Sequence, residues 1–87
     1  MKFEEELAKL MRSPELAYVL AQHAAQEAVA RAMKEQKCSI RELAMRLGVP
    51  TWRVERWLRE GPMTLRRLAE IAAALGCGVE ITLKRGD

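Results

Sequence analysis

The sequence predicts an all-α bundle with an amino-terminal helical extension and one short carboxy-terminal β-strand. Three observations carry that expectation. Apolar residues recur at helical spacing from Phe3 to Leu75. Caps punctuate the run at Ser13, Ser39, Pro50 and Thr64, and glycines end segments of it at Gly48 and Gly76. The period changes only after Gly78, where Val79, Ile81 and Leu83 alternate with Glu80, Thr82 and Lys84.

Taken in order, residues 3–11 read as a short amphipathic helix with Phe3, Leu7, Leu10 and Met11 on one side. Ser13, Pro14 and Glu15 then start a second helix as cap, first residue and dipole partner. Nothing breaks it until about Lys37, and its apolar marks at Leu16, Leu20, Ala24, Ala28, Ala32 and Met33 drift around the axis. Ser39 and Glu42 form a capping box for a third helix, with Leu43, Ala44 and Leu47 inward and Gly48 as terminator. Pro50 opens a fourth helix that ends near "EGP", and Thr64 caps a fifth whose inward residues are Leu65, Leu68, Ile71, Ala72 and Leu75. The alternating run 79–84 is the lone strand candidate, and a lone strand leaves its backbone groups unpaired. Antiparallel pairing with a second copy across a two-fold axis would satisfy them, with Glu80 facing Lys84 of the other copy. A strand of a different protein, or a frayed tail packed by its apolar face, are the alternatives.

Composition bounds the function. Eighty-seven residues suit one small domain that buries about 60 to 65% of its unfolded surface, so a partner chain would help it. Hydrophobic residues make up 49% and charged residues 31%, and no apolar run approaches the ~20 residues of a membrane span. The opening "MKFEEELAKL" is acidic and amphipathic, unlike a signal peptide, so a cytoplasmic location is expected. Cys38 and Cys77 stand apart, outside any CxxC or Cys/His cluster, and are expected to be small buried apolar residues. With His23 as the single histidine, neither a metal site, a cofactor site nor a catalytic triad is expected, and the chain does not read as an enzyme. The net charge of +3 is uneven: residues 31–67 hold ten Lys/Arg against four Glu, while both flanks are slightly acidic. A basic middle suits a polyanionic partner or a solvated helical face.

The segment "SIRELAMRLGVPTWRVERWL" has the spacing of a helix-turn-helix. Two helices cross steeply only where the approach is small, hence Ala44, and the turn bends without strain at Gly48. Leu43, Leu47, Val49, Val54 and Trp57 close the core that fixes the crossing. On the wheel of the fourth helix, Trp57 and Leu58 lie within about 60° of Val54 and face inward, whereas Trp52, Arg56 and Arg59 form an outward stripe. Arg53 sits on its shoulder and Thr51 at its leading end. The two tryptophans therefore have different expected roles. Trp52 could meet DNA, stack on Arg56 as a cation–ring pair, or lie beneath the amino-terminal helix or a partner protein.

These residues resemble the Xre-type helix-turn-helix proteins, which include lambda-like phage repressors and many bacterial antitoxins. The resemblance runs from "EAVARAMKEQKCSIRELAMRLGVP" through "TLRRLAEIAAALG", so residues 27–76 are read as a lambda repressor-like helix-turn-helix core. Residues 1–26 become its helical extension, and 77–87 its dimerising strand and tail. The flanks "SPELAYVLAQHAAQEAVARAM" and "ALGCGVEITLKR" are most similar in layout to antitoxins of the HigA kind. The family often has a polar residue in place of Pro50 and a glutamate near Leu58. Pro50 removes a side-chain cap from the fourth helix and leaves its first amides to water or phosphate.

The resemblance implies that Thr51, Trp52 and Arg56 reach base edges in the major groove, where an arginine can bond O6 and N7 of guanine. Arg53 and Arg59 flank that helix. Arg66 and Arg67 sit in the first turn of the fifth helix, against its dipole, and with Thr64 they suit a DNA phosphate, a use the family makes of this region. Arg41 and Arg46 are further phosphate candidates. The expected partners are double-stranded DNA carrying a palindromic operator, a second copy of the chain, and a small basic toxin protein facing the acidic start. Three functions stay open: an antitoxin that represses its own operon, an Xre-like repressor without a toxin, and a protein-interaction adaptor whose motif binds no DNA.

Overall fold

A computed structural model describes residues 2–85, except for the side chains of Phe3, Leu7, Ala8, Leu10 and Met11. The apolar stripe expected on the first helix rests on those side chains and lies outside the described residues. Five helices follow one another: α1 (Lys2–Met11), α2 (Pro14–Gln36), α3 (Ile40–Leu47), α4 (Thr51–Arg59) and α5 (Leu65–Ala74). The caps fall where the sequence places them. The hydroxyls of Ser13, Ser39 and Thr64 each accept from the backbone N–H three residues on, which satisfies a first-turn donor of α2, α3 and α5. Ser13 also donates to the Glu15 carboxylate at 2.8 Å, and that bond, with Glu15's own N–H, holds the carboxyl below its ordinary range.

Helix ends are set by left-handed residues. Gly48 (φ +69°) closes α3, and Val49 N–H bonds the Ala44 carbonyl at 3.0 Å. Lys37 takes the same conformation (φ +54°) at the end of α2, with Cys38 N–H bonded to the Met33 carbonyl. That turn lets the chain leave α2 and enter α3 within three residues.

The core forms where α2, α3, α4 and α5 meet, and among the described residues α1 meets α2. Leu43, Val54 and Ile71 are fully buried, with Val29, Met33, Cys38, Ala44, Trp57 and Leu75 around them. Small Ala44 and its left-handed Gly48 let α4 cross close over α3, as the motif requires.

Several expectations need correction. Cys38 is buried, but Cys77 is exposed just beyond α5, where its thiol receives the Gln36 amide at 3.5 Å. Leu65 is 68% exposed, because position 65 starts α5 on its outer side and the inward stripe begins at Leu68. The drifting apolar marks of α2 meet different surroundings, as drift implies: Met33 is buried with Val29, Leu16 and Ala32 are half-buried, and Leu20, Ala24 and Ala28 face outward. Residues 79–84 adopt no strand in the single chain. A ladder needs a second edge, and no other described segment is extended enough to supply one.

The sequence reading missed what fixes α2 against the bundle. Positions 22, 26, 29, 33 and 36 share one face of a helix within about 80°. That face carries Gln22, Gln26 and Gln36 around Val29 and Met33. Gln26 donates to the Trp57 carbonyl at 2.9 Å, Gln22 to the Glu60 carbonyl at 3.3 Å, and Gln36 to the Leu75 carbonyl at 2.7 Å. Each amide thus serves a carbonyl that the end of α4 or α5 leaves unpaired. Gln22 also receives Met63 N–H and lies flat on Gly61, where an added Cβ would come within 2.7 Å of its amide.

Candidate nucleic-acid interface

Helix α4 owes its orientation to its buried face. Val54 and Trp57 are buried and Leu58 is half-buried, so the opposite stripe must point away from the bundle. Trp52, Arg56 and Arg59 are exposed on it, and Arg53 on its shoulder and Thr51 at its leading end are exposed as well. Trp52 is 56% exposed, so its indole is not sealed beneath the amino-terminal helix. The cation resting on that ring is Arg53, 5.4 Å from the centroid, rather than Arg56. Arg56 instead reaches Glu60 one turn on, with 3.7 Å between Nε and the carboxylate. Both partners of that pair are well exposed, so it holds Arg56 only weakly. The first turn of α4 has no side-chain cap, as Pro50 requires, and no acidic residue.

The expected phosphate group divides. Arg66 is exposed and makes no ion pair among the described residues. Arg67, its neighbour, turns inward: its guanidinium lies 3.9 Å from the centroid of the Trp57 ring and bonds Glu70 at 3.2 Å. Arg67 therefore ties α5 to α4. Thr64 uses its hydroxyl to cap α5 by accepting Arg67 N–H at 3.1 Å. Arg46 spans from α3 to the Ala74 carbonyl at 3.2 Å and has Glu42 at 3.9 Å, whereas Arg41 is exposed.

Trp52, Arg53, Arg56, Trp57 and Arg67 surround a shallow depression of about 330 Å³ whose far wall is Gly61 and Pro62. It gathers three cations and two indoles on one side of α4. Among the described residues no carboxylate lines it, although Glu60 and Glu70 pair with Arg56 and Arg67 from outside it. Such a surface can place a guanidinium and a flat apolar ring against a groove edge while the flanking cations meet phosphates.

The division between the paired arginines has a measurable consequence. Arg67→Ala is expected to lower the unfolding free energy by about 1 kcal/mol through loss of the half-buried cation–ring contact. Arg66→Ala should leave it within about 0.5 kcal/mol. Urea denaturation of the two variants checks this, and equal losses would contradict the assignment.

Among the described residues, no helix is long and apolar enough to cross a membrane. No curated protein and no solved structure matched the chain. Residues 29–80 match the Cro/C1-type HTH DNA-binding domain, a stretch that takes in α3, α4 and α5 with the buried face of α2. The chain, more than half of it covered by that match, belongs to the Cro/C1-type helix-turn-helix family of DNA-binding regulators.

Proposed function

We propose that the chain is a sequence-specific repressor that binds a palindromic operator as a homodimer and serves as the antitoxin of a cytoplasmic toxin–antitoxin pair. The observation that carries the DNA reading is the outward stripe of α4, where Trp52 and Arg56 stand exposed with Arg53 and Arg59 beside them. In this reading Thr51, Trp52 and Arg56 meet base edges. Arg41, Arg46, Thr64 and Arg66 meet the phosphate backbone, and Arg67 contributes its charge while remaining on Trp57. Two copies pair through residues 79–84, so two α4 helices enter successive major grooves about 34 to 36 Å apart.

The antitoxin part rests on the exposed carboxylates Glu4, Glu5 and Glu6 of α1 and on the layout shared with antitoxins of the HigA kind. An acidic helix suits a basic partner such as a small RNA-cleaving toxin. Co-expression with the product of the adjoining reading frame tests it. Rescue of growth that is lost with Glu4, Glu5 and Glu6 changed to glutamine supports the reading, and an adjoining product that is harmless alone removes it.

Gel shifts on the chain's own upstream DNA over a salt series test the repressor part. Arg66→Ala should weaken every sequence alike and reduce the slope of log K against log salt by about one phosphate for each copy bound. An unchanged slope would exclude Arg66 from the phosphate contacts.

A further inference from the structure

We infer that the apolar groove between α2 and α5 seats Leu83 of a second copy of this chain. The groove has a volume of about 750 Å³. Ala25 and Ala28 of α2 and Leu68 and Ala72 of α5 line it, over the buried Val29 and Leu75, and residues 77–82 complete the lining. Small side chains along one helix leave a trough into which a larger side chain can settle.

The occupant follows from the tail itself. Leu83 is 94% exposed, one residue beyond the wall that Ile81 and Thr82 contribute, and its own chain offers it no seat. An antiparallel pairing of two tails centred on Thr82 sets Leu83 of the second copy directly opposite Ile81, on the same face of the ribbon. Ile81 lines the groove, so Leu83 of the second copy is delivered to it. The same register sets Glu80 opposite Lys84 of the second copy, and the reverse, which gives two opposite-charge pairs at the rim. A register displaced by one residue at one chain would turn Leu83 to the other face.

Location agrees with this occupant. None of the groove's lining residues belongs to α3 or α4, so a second copy seated there leaves the outward stripe of α4 uncovered, and of the residues assigned to DNA above Thr64 alone is among the lining. The exchange is reciprocal, with each copy giving one leucine and receiving one, as an isologous contact demands. The inference rests on the tail-paired dimer proposed above and adds the surface that holds it.

Sedimentation of the full chain, with disulfide trapping, separates the two claims. In a Cys77→Ser background, Thr82→Cys should cross-link to its own copy under mild oxidation, because Thr82 lies at the centre of the register. Leu83→Glu should raise the dimer dissociation constant about a hundredfold or more, since two buried leucines are lost. Ala28→Trp, which fills the trough from α2, should raise it at least about tenfold with an unchanged helical circular dichroism spectrum. Met45→Glu, at an exposed apolar position on α3 outside the groove, should dimerise as the parent does. If Thr82→Cys cross-links while Leu83→Glu or Ala28→Trp dimerises normally, the groove is not the seat and tail pairing alone survives. A monomeric parent without cross-linking overturns both.

Discussion

Leu43→Ala is expected to lower the unfolding free energy by about 3 to 4 kcal/mol and, on the function proposed above, to remove operator binding at temperatures where the parent chain is still folded. Leu43 is 0% exposed and stands in the cluster that Val54, Trp57 and Ile71 complete, so it holds α3 to both α4 and α5. Truncating a leucine at such a site costs about 2 to 5 kcal/mol, the transfer of the lost carbons plus the cavity they leave. A chain of 87 residues has a total stability of about 4 to 13 kcal/mol. The loss is therefore a large share of the whole, and it falls on the crossing that aims α4. Met45→Ala, two residues along and 74% exposed, should change stability by no more than about 0.5 kcal/mol. Urea titrations of the three proteins decide it. A loss below about 1 kcal/mol for Leu43→Ala would mean that the core does not close over this residue.

The inward place of Leu43 was readable in the sequence, and the reason is local. In α3 and α4 the buried face is apolar, the outward face is mostly polar or charged apart from Met45 and Trp52, and Ser39, Gly48 and Pro50 mark the ends, so period and caps agree. The docking face of helix α2 was not legible because it is not apolar throughout. Gln22, Gln26 and Gln36 lie on that face and bond carbonyls of α4 and the end of α5, and a pattern search for hydrophobes passes over them. Ala24 and Ala28, two of the apolar marks that drift around the axis, line the open groove. Arg66 and Arg67 are equivalent by composition, and only the position of the Trp57 ring separates them. The tail is legible as a pattern but not as an element, because no other described segment of the chain offers it a strand edge.

Arg56→Ala should cut the preference for operator over unrelated DNA by about 1 to 3 kcal/mol per half-site, roughly 5- to 150-fold, if its guanidinium spans O6 and N7 of a guanine. Its present partner does not stand in the way, since the exposed pair with Glu60 is worth at most about 1 kcal/mol and yields readily to a base edge. Loss of a charge alone would also weaken binding, so the alanine variant is not the sharpest test. Arg56→Lys keeps the charge and removes the paired donors. It should retain the parent's salt slope yet lose most of the discrimination, the reverse of the pattern expected for Arg66→Ala. Glu60→Gln frees Arg56 from its carboxylate and should leave discrimination intact or slightly raised. Competition gel shifts with operator and scrambled duplexes measure all three. If Arg56→Lys discriminates as well as the parent, Arg56 reads phosphate rather than base, and specificity then falls to Thr51 and to Trp52 with Arg53 stacked on its ring.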